Sequence, residues 1–109
     1  MVIYSSMIIP KFMSVLVFAI VKNITNSHQY EKYAKENFEI VKKYGGKFLY
    51  RNNNREHIEG SPIDDRVVIL EFDNSDNAKK WYNSKEYQEA KNIRKDIAEA
   101  SIYILDAFQ

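Results

Sequence analysis

Two short segments of the chain are apolar at almost every position, and this feature constrains the fold more than any other. They are SVLVFAIV, residues 14–21, and RVVILEF, residues 66–72. A strand with one face in solvent alternates apolar and polar side chains, whereas a strand covered on both faces is apolar throughout. The sequence therefore predicts two central strands of a sheet.

A long helix is predicted directly after the first of these strands. Asn26 is suited to cap its first turn, with Gln29 reaching back as in a capping box, and Gly45 is placed to end it in the left-handed conformation. Asn37 interrupts the otherwise apolar and aromatic stripe that would face the sheet. At helical spacing, that stripe comprises Tyr30, Tyr33, Ala34, Asn37, Val41 and Tyr44.

The remaining segments complete a βαββαβ order. KFLYR, residues 47–51, and IYILDAF, residues 102–108, predict two strands of mixed character. Residues 73–100 predict helix with a break near Asn83, where Ser84 can cap a new helix. In a ferredoxin-like sheet the strands lie in the order 4-1-3-2, so the first and third are central. Because the two fully apolar segments are the first and third, we predict an α+β fold, a ferredoxin-like sandwich with an antiparallel sheet.

Two helices can cover only one face of such a sheet, and the other face would still carry apolar side chains. We therefore predict a homodimer in which two copies pack sheet to sheet, and we place Val15, Val17 and Val67 on the buried interface. This arrangement would also create a cavity between each sheet and the partner subunit, in which a small molecule could bind.

The length of 109 residues indicates one domain. We assign residues 13–109 to it and treat residues 1–12 as an N-terminal extension of uncertain order. Folding should not require the extension, because Pro10 interrupts any continuation of the first strand. Pro10 and Lys11 also divide the apolar N-terminal sequence, leaving no run of about 20 residues that could span a bilayer. We therefore expect no membrane association.

Composition argues against several classes of function. A net charge of +1 gives no basic excess for binding a phosphate backbone, so we expect no nucleic-acid partner. The absence of Cys and the separation of His28 from His57 argue against a metal site, and there is no Gly-rich phosphate loop. We therefore expect neither a metal nor a cofactor. A chain without cysteine is compatible with the reducing cytoplasm, which is the location we expect.

Several motifs taken together resemble the uncharacterised family DUF1330. They are YGGKFLYR, EHIEG, RVVILEF and AKKWYNSKEYQEAKNIR, and the resemblance covers residues 14–108. It implies a dimeric α+β barrel built from two ferredoxin-like subunits. Relatives in the wider superfamily include cofactor-free monooxygenases and muconolactone-type isomerases. The family itself has no established activity, so the resemblance assigns no catalytic residue.

Glu71 is the only charged residue in VVILEF, residues 67–72, and it is the first candidate for a ligand pocket. Alternation places Glu71 opposite Phe72, which should turn toward the helices. The carboxylate would then face the space between the two sheets of a dimer and act as a base or a ligand anchor. The structural alternatives are a salt bridge to Arg51 or Arg94, or exposure at the end of the strand.

Five further residues are candidates for the same pocket, and each has a structural alternative. Arg51 at a strand end could bind a ligand carboxylate or form an internal ion pair. His57 in the polar loop could transfer protons or be solvated. Trp81, Tyr87 and Arg94 fall on helical stripes that would chiefly pack against the sheet, with one edge forming a wall of the pocket.

Three functions remain compatible with these residues, and whether the protein is an enzyme is open. The first is binding of a small, partly apolar molecule, with cofactor-free isomerase or monooxygenase chemistry as an extension. The second is a non-catalytic dimerisation or interaction module with no ligand. The third is an RNA-binding domain, which needs exposed rings on the first and third strands, where the sequence offers only Phe18 and Phe72.

Overall fold

The computed structural model describes residues 14–106, in which four strands and three helices follow one another in the predicted order. The strands are β1 Val15–Lys22, β2 Lys47–Tyr50, β3 Arg66–Phe72 and β4 Glu99–Asp106, and the helices are α1 Ser27–Lys43, α2 Ser75–Asn83 and α3 Lys85–Arg94. The predicted extension, residues 1–12, and the last residues of the predicted fourth strand lie outside the described part of the chain. None of the helices within residues 14–106 is long and apolar enough to cross a membrane.

All four strands form one antiparallel sheet in the order β2-β3-β1-β4, which is the predicted order. The two strands whose sequences are apolar on both faces, β1 and β3, occupy its centre. The edge strand β4 begins at Glu99 rather than at Ile102, because residues 99–101 pair with residues 20–22 at the end of β1. The structure thus confirms the ferredoxin-like α+β fold.

The strand register corrects our assignment of the sheet faces. Val17 pairs with Leu70, and both side chains are buried in the core that the helices cover. Val15 and Val17 therefore belong to the intrachain core, and placing them on a dimer interface with Val67 was wrong. Odd positions of β1 pair with even positions of β3, so Val67 lies on the opposite face, in register with Ile20. This second face carries Leu16, Phe18, Ile20, Val67, Ile69 and Glu71 from the central strands.

Side-chain caps fix the helix ends, and a residue in the first turn of α1 links two helices. Asn26 Oδ1 accepts the backbone N–H of Gln29 at 2.9 Å, as predicted. The Gln29 side chain does not close the predicted capping box, because its Nε2 donates to the Ile93 carbonyl at 2.6 Å and so holds α3 against α1. Ser84 ends α2 and caps α3, its Oγ accepting the N–H of Tyr87 at 3.0 Å, which confirms the predicted break.

Candidate functional site

A cavity of about 1020 Å³ lies between α1 and the helix-covered face of the sheet. Trp81 from α2 and Arg94 from α3 line it, and both residues also line a second cavity of about 430 Å³. The larger volume suits a small organic ligand with a mainly apolar body. Its floor consists of apolar side chains from all four strands: Val17, Ala19, Val21, Phe48, Val68, Leu70, Ala100 and Ile102.

Arg94 places a buried positive charge at this cavity. The residue is only 5% exposed, and its Nη2 donates a hydrogen bond to the Tyr87 hydroxyl at 3.0 Å. Its Cζ lies 5.1 Å from the centre of the Tyr33 ring, which is a cation–π contact. No carboxylate within residues 14–106 forms an ion pair with Arg94. Only neutral dipoles and a ring surround the charge, which leaves it available to an anion.

The two tyrosines beside Arg94 act as neutral hydroxyl groups at physiological pH. Burial raises the pKa of the Tyr33 phenol and that of the Tyr87 phenol, so neither supplies a negative charge to the guanidinium. Burial lowers the pKa of Arg94, but its contacts with the two tyrosines raise that pKa, and the net direction is upward. The site therefore combines one permanent cation with two uncharged hydroxyls.

Asn37 on α1 shows why an amide interrupts the sheet-facing stripe of that helix. Its Oδ1 accepts the indole N–H of Trp81 at 3.0 Å, and both residues are buried. Trp81 also packs against Phe72, with 5.7 Å between ring centres, and against Tyr87, with 4.6 Å. The aromatic cluster of α2 and α3 is thus part of the core, and through Trp81 it also forms part of the cavity wall.

Arg66 and Glu86, which line the cavity, each form an ion pair with a neighbour, whereas Arg94 does not. Arg66 Nη1 donates to Glu31 Oε2 at 2.9 Å. Lys43 forms a hydrogen-bonded ion pair with Glu86, and this hydrogen bond lowers the pKa of the Glu86 carboxyl to about 2. A ligand that enters the cavity therefore meets these charges as pairs, and meets an unpaired cation at Arg94.

The two loop candidates have different positions. Arg51 lines the larger cavity, and its Cζ lies 4.6 Å from the centre of the Phe38 ring and 5.6 Å from that of Phe48. His57 is exposed to solvent in the loop and lines neither of the two cavities. Its Nε2 lies 2.5 Å from the Gly60 carbonyl oxygen, which holds the ring against its own loop. Only Arg51 is therefore placed to reach a ligand beside Arg94.

Glu71 lies on the second face of the sheet, away from this cavity. Its side chain points opposite to that of Phe72, as expected, and it forms an ion pair with Lys47, with 3.7 Å between Lys47 Nζ and Glu71 Oε1. The structural alternative of a salt bridge from Glu71 to Arg51 or Arg94 is not formed among the described residues. The structure brings Arg51 and Arg94 together at one cavity and places Glu71 on the other side of the sheet.

Replacing Glu71 by Gln is expected to change the free energy of unfolding by less than about 1 kcal/mol. The Lys47 side chain of the ion pair is 63% exposed, so water screens much of the attraction. Urea denaturation of Glu71→Gln, with Lys47→Gln as its matched control, measures the effect. A loss of about 3–5 kcal/mol in either variant, the cost of breaking a buried ion pair, would contradict this expectation.

Two residues of α1 contribute polar groups that we did not select as ligand candidates from the sequence. Tyr33 and Asn37 both line the cavity, and both are buried. The available signal was their spacing of four residues on the sheet-facing stripe, where a polar group must find a buried partner. No group of three or more His, Asp or Glu side chains in residues 14–106 is arranged to hold a metal ion.

A family comparison decides which family this chain represents. The model of the family described as "Domain of unknown function (DUF1330)" matches residues 14–108. The chain belongs to the DUF1330 family. The match confirms the resemblance that the sequence motifs carry. No curated protein matches this DUF1330 chain in sequence.

Solved structures of other proteins share the fold of this DUF1330 protein. The RPA0582 protein of unknown function from Rhodopseudomonas palustris matches with a TM-score of 0.69 and 16% identity, over 94% of this chain and 93% of its own. SnoaB, a cofactor-independent oxygenase from Streptomyces nogalater, matches with a TM-score of 0.67 and 11% identity, over 89% and 95%. A dimeric ferredoxin-like protein of unknown function from Thermobifida fusca gives 0.51 and 13%, over 85% and 92%. At these identities the likeness shows the fold alone.

Proposed function

We propose that this DUF1330 protein binds a small, partly apolar anion in the cavity between α1 and the sheet. The observation that carries the proposal is the Arg94 guanidinium, which lines the cavity, is 5% exposed and pairs with no carboxylate of residues 14–106. Its partners are a neutral hydroxyl and a ring, which compensate a buried charge less fully than a carboxylate does. A ligand carboxylate would offset the remaining cost through charge-assisted hydrogen bonds.

The hydrogen bonds of Arg94 support an anion at this position. A guanidinium carries five N–H groups, and Nη2 is the nitrogen that reaches Tyr87. No fully buried side-chain nitrogen among residues 14–106 lacks a hydrogen-bond partner. The nitrogens of Arg94 that have no protein partner are therefore accessible, and the accessible space beside them is that of the two cavities that Arg94 lines.

The apolar floor of the cavity supports a ligand with a hydrocarbon or aromatic body. Val68 and Leu70 from β3 and Ile102 from β4 line it, and none of them offers a polar side-chain atom. Burial of such a body contributes roughly 25 cal/mol for each Å² of apolar surface, while Arg94 selects for the charge. In this proposal the ligand lies within one subunit, and not between the sheet and a partner subunit as the sequence led us to expect.

Cofactor-free oxidation of the bound molecule is a second candidate function. The observation in its favour is the fold shared with SnoaB, which is described as a cofactor-independent oxygenase. Oxygen consumption on addition of a bound ligand, measured with an oxygen electrode, would support it. An unchanged ligand and no oxygen uptake would leave binding as the function. A non-catalytic interaction module remains the alternative, and it predicts no ligand at Arg94.

Trp81 provides a direct test of ligand binding, because it is the single tryptophan of the chain and lines the cavity. We expect phenylacetate to change Trp81 fluorescence saturably. We expect neutral phenylacetamide, which has the same shape, to bind about tenfold more weakly, since a hydrogen bond to a charged group contributes about 1.5–3 kcal/mol. Equal affinities of the two compounds, or no binding of either, would contradict the proposal.

We further propose that a second copy of the chain packs on the second face of the sheet. That face carries apolar side chains of β1 and β3, and on the edge strand Tyr103 and Leu105 are 54% and 45% exposed. The Thermobifida fusca neighbour is described as dimeric. Sedimentation at micromolar concentration should give a dimer for the wild type and for Ile58→Lys, a loop control, and a monomer for Phe18→Lys. A monomeric wild type would contradict this.

A further inference from the structure

Three polar side chains form a hydrogen-bonded chain beside the larger cavity, and two of them, Tyr33 and Arg94, line it. Arg94 Nη2 donates to the Tyr87 hydroxyl at 3.0 Å, and the hydroxyls of Tyr87 and Tyr33 lie 2.9 Å apart. The distance alone does not tell which phenol donates to the other. The chemistry of the three groups and their exposure decide it.

Tyr87 must be the donor of the hydrogen bond between the two phenols. Arginine has no acceptor atom, so the Tyr87 oxygen accepts from Arg94, and the Tyr87 proton needs another partner. Tyr87 is 0% exposed and lines neither of the two cavities. Within residues 14–106 the Tyr33 oxygen is the one acceptor that its hydroxyl reaches. The reverse direction would leave a buried O–H without an acceptor, which is costly.

The Tyr33 proton is therefore left without an acceptor in the described part of the protein. Besides Tyr87, the neighbour that its hydroxyl contacts is the Arg94 guanidinium, which can only donate, and Tyr33 lines the larger cavity. Burial keeps the phenol protonated, because it raises the Tyr33 pKa. The free O–H thus has the cavity as the space in which to find an acceptor.

We infer that Tyr33 O–H and Arg94 N–H act together as a clamp for the two oxygens of one ligand carboxylate. This inference rests on the proposed function and deepens it, because it names the anionic group. A carboxylate offers two acceptor oxygens about 2 Å apart, which matches one neutral and one cationic donor on adjacent side chains. Tyr87 is a positioning residue: it contacts no ligand and directs the Tyr33 hydroxyl by donating to its oxygen.

Three tyrosine-to-phenylalanine variants test the inference with phenylacetate as the probe and Trp81 fluorescence as the readout. We expect Tyr33→Phe to lower the affinity about tenfold, since it removes a hydrogen bond to a charged group. Tyr87→Phe should lower it by a smaller factor, because it removes the hydroxyl that orients Tyr33 and accepts from Arg94 but removes no contact with the ligand. Tyr30→Phe is the matched control on the same helix, and its hydroxyl is outside the chain of hydrogen bonds, so its affinity should stay within about twofold of wild type.

The outcomes separate this inference from the proposed function. An unchanged affinity in Tyr33→Phe, with a lower affinity in Arg94→Gln, would overturn the clamp and leave anion binding intact. No phenylacetate binding by the wild type would overturn both. The rates at which tyrosine hydroxyl protons exchange with solvent, measured by NMR on the wild type, do not depend on whether the variants fold. The Tyr33 hydroxyl should exchange faster than that of Tyr87 and slow down on addition of phenylacetate, and equal exchange rates without the probe would contradict the donor order.

Discussion

Gly46→Ala is expected to lower the free energy of unfolding by about 2–3 kcal/mol, the upper part of the range of about 1–3 kcal/mol for forcing extra volume into a packed core. A Cβ at this position would lie 2.6 Å from Cε2 and Cζ of Phe72 and 2.8 Å from Cγ1 of Val41. Phe72 and Val41 are 1% and 0% exposed, and the Phe72 ring is held against Trp81. Neither neighbour has free space to move into, so the α1–β2 connection must shift away from the sheet.

Gly45→Ala is the matched control, because it makes the same change one residue earlier for a different physical reason. Gly45 has φ +84°, and nothing lies within 4 Å of an added Cβ. Its cost is limited to the left-handed backbone strain of a non-glycine residue, about 1 kcal/mol. Urea denaturation of both variants gives the comparison. If Gly46→Ala were no more destabilising than Gly45→Ala, the close packing of the α1–β2 connection on Phe72 would be wrong.

Arg94→Gln is expected to weaken phenylacetate binding at least about thirtyfold, which is about 2 kcal/mol for a lost hydrogen bond to a charged group. Glutamine keeps a polar side chain of similar length and removes the charge. Phenylacetamide should bind the variant and the wild type with similar affinity. Arg66→Gln is the control within the same cavity, since its charge is already paired with Glu31, and it should change phenylacetate affinity by less than about threefold.

The free energy of unfolding of Arg94→Gln shows whether Arg94 serves ligand binding or stabilises the fold. Removing half of a buried ion pair costs about 3–5 kcal/mol, but Arg94 has no carboxylate partner among residues 14–106. The variant loses the hydrogen bond to Tyr87 and the cation–π contact with Tyr33, and it is relieved of burying a charge. We therefore expect its free energy of unfolding to stay within about 1 kcal/mol of wild type. A loss above about 3 kcal/mol would mean that Arg94 serves the fold.

The sequence predicted the helices and strands because apolar patterning and capping act between residues that are close in the chain. The apolar runs of β1 and β3 identified the central strands, and Ser84 identified the break between α2 and α3. The assignment of faces failed at Val15 and Val17, since it depends on the register between two strands. Only the pairing of Val17 with Leu70 shows which parity of β1 shares a face with which parity of β3.

The candidate site was predicted only in part because its polar contacts connect distant positions. Arg94 and Arg51 were selected from the sequence and lie at one cavity, whereas Tyr33 and Asn37 were read as parts of a packing stripe. Asn37 and Trp81 are 44 residues apart, and Tyr33 and Tyr87 are 54 apart. No local pattern links such pairs, and their hydrogen bonds follow from the packing of α1 against α2 and α3.

The partner of Glu71 illustrates the same limit. The sequence placed Glu71 opposite Phe72 from alternation alone, and the register agrees. The cross-strand neighbour Lys47 was not considered, because pairing between β2 and β3 depends on the length and course of the loop at residues 51–65. The position of Glu71 in an apolar strand therefore indicated that its carboxylate makes a polar contact, but it did not identify Lys47.

A crystal structure of the protein with phenylacetate tests the central claim most directly. We expect density for the ligand between α1 and the sheet. The carboxylate should lie within about 3.2 Å of a guanidinium nitrogen of Arg94, and the phenyl ring should lie on the floor formed by Val68, Leu70 and Ile102. Ligand density on the second face of the sheet, beside Glu71, or a cavity that stays empty at saturating phenylacetate, would contradict it.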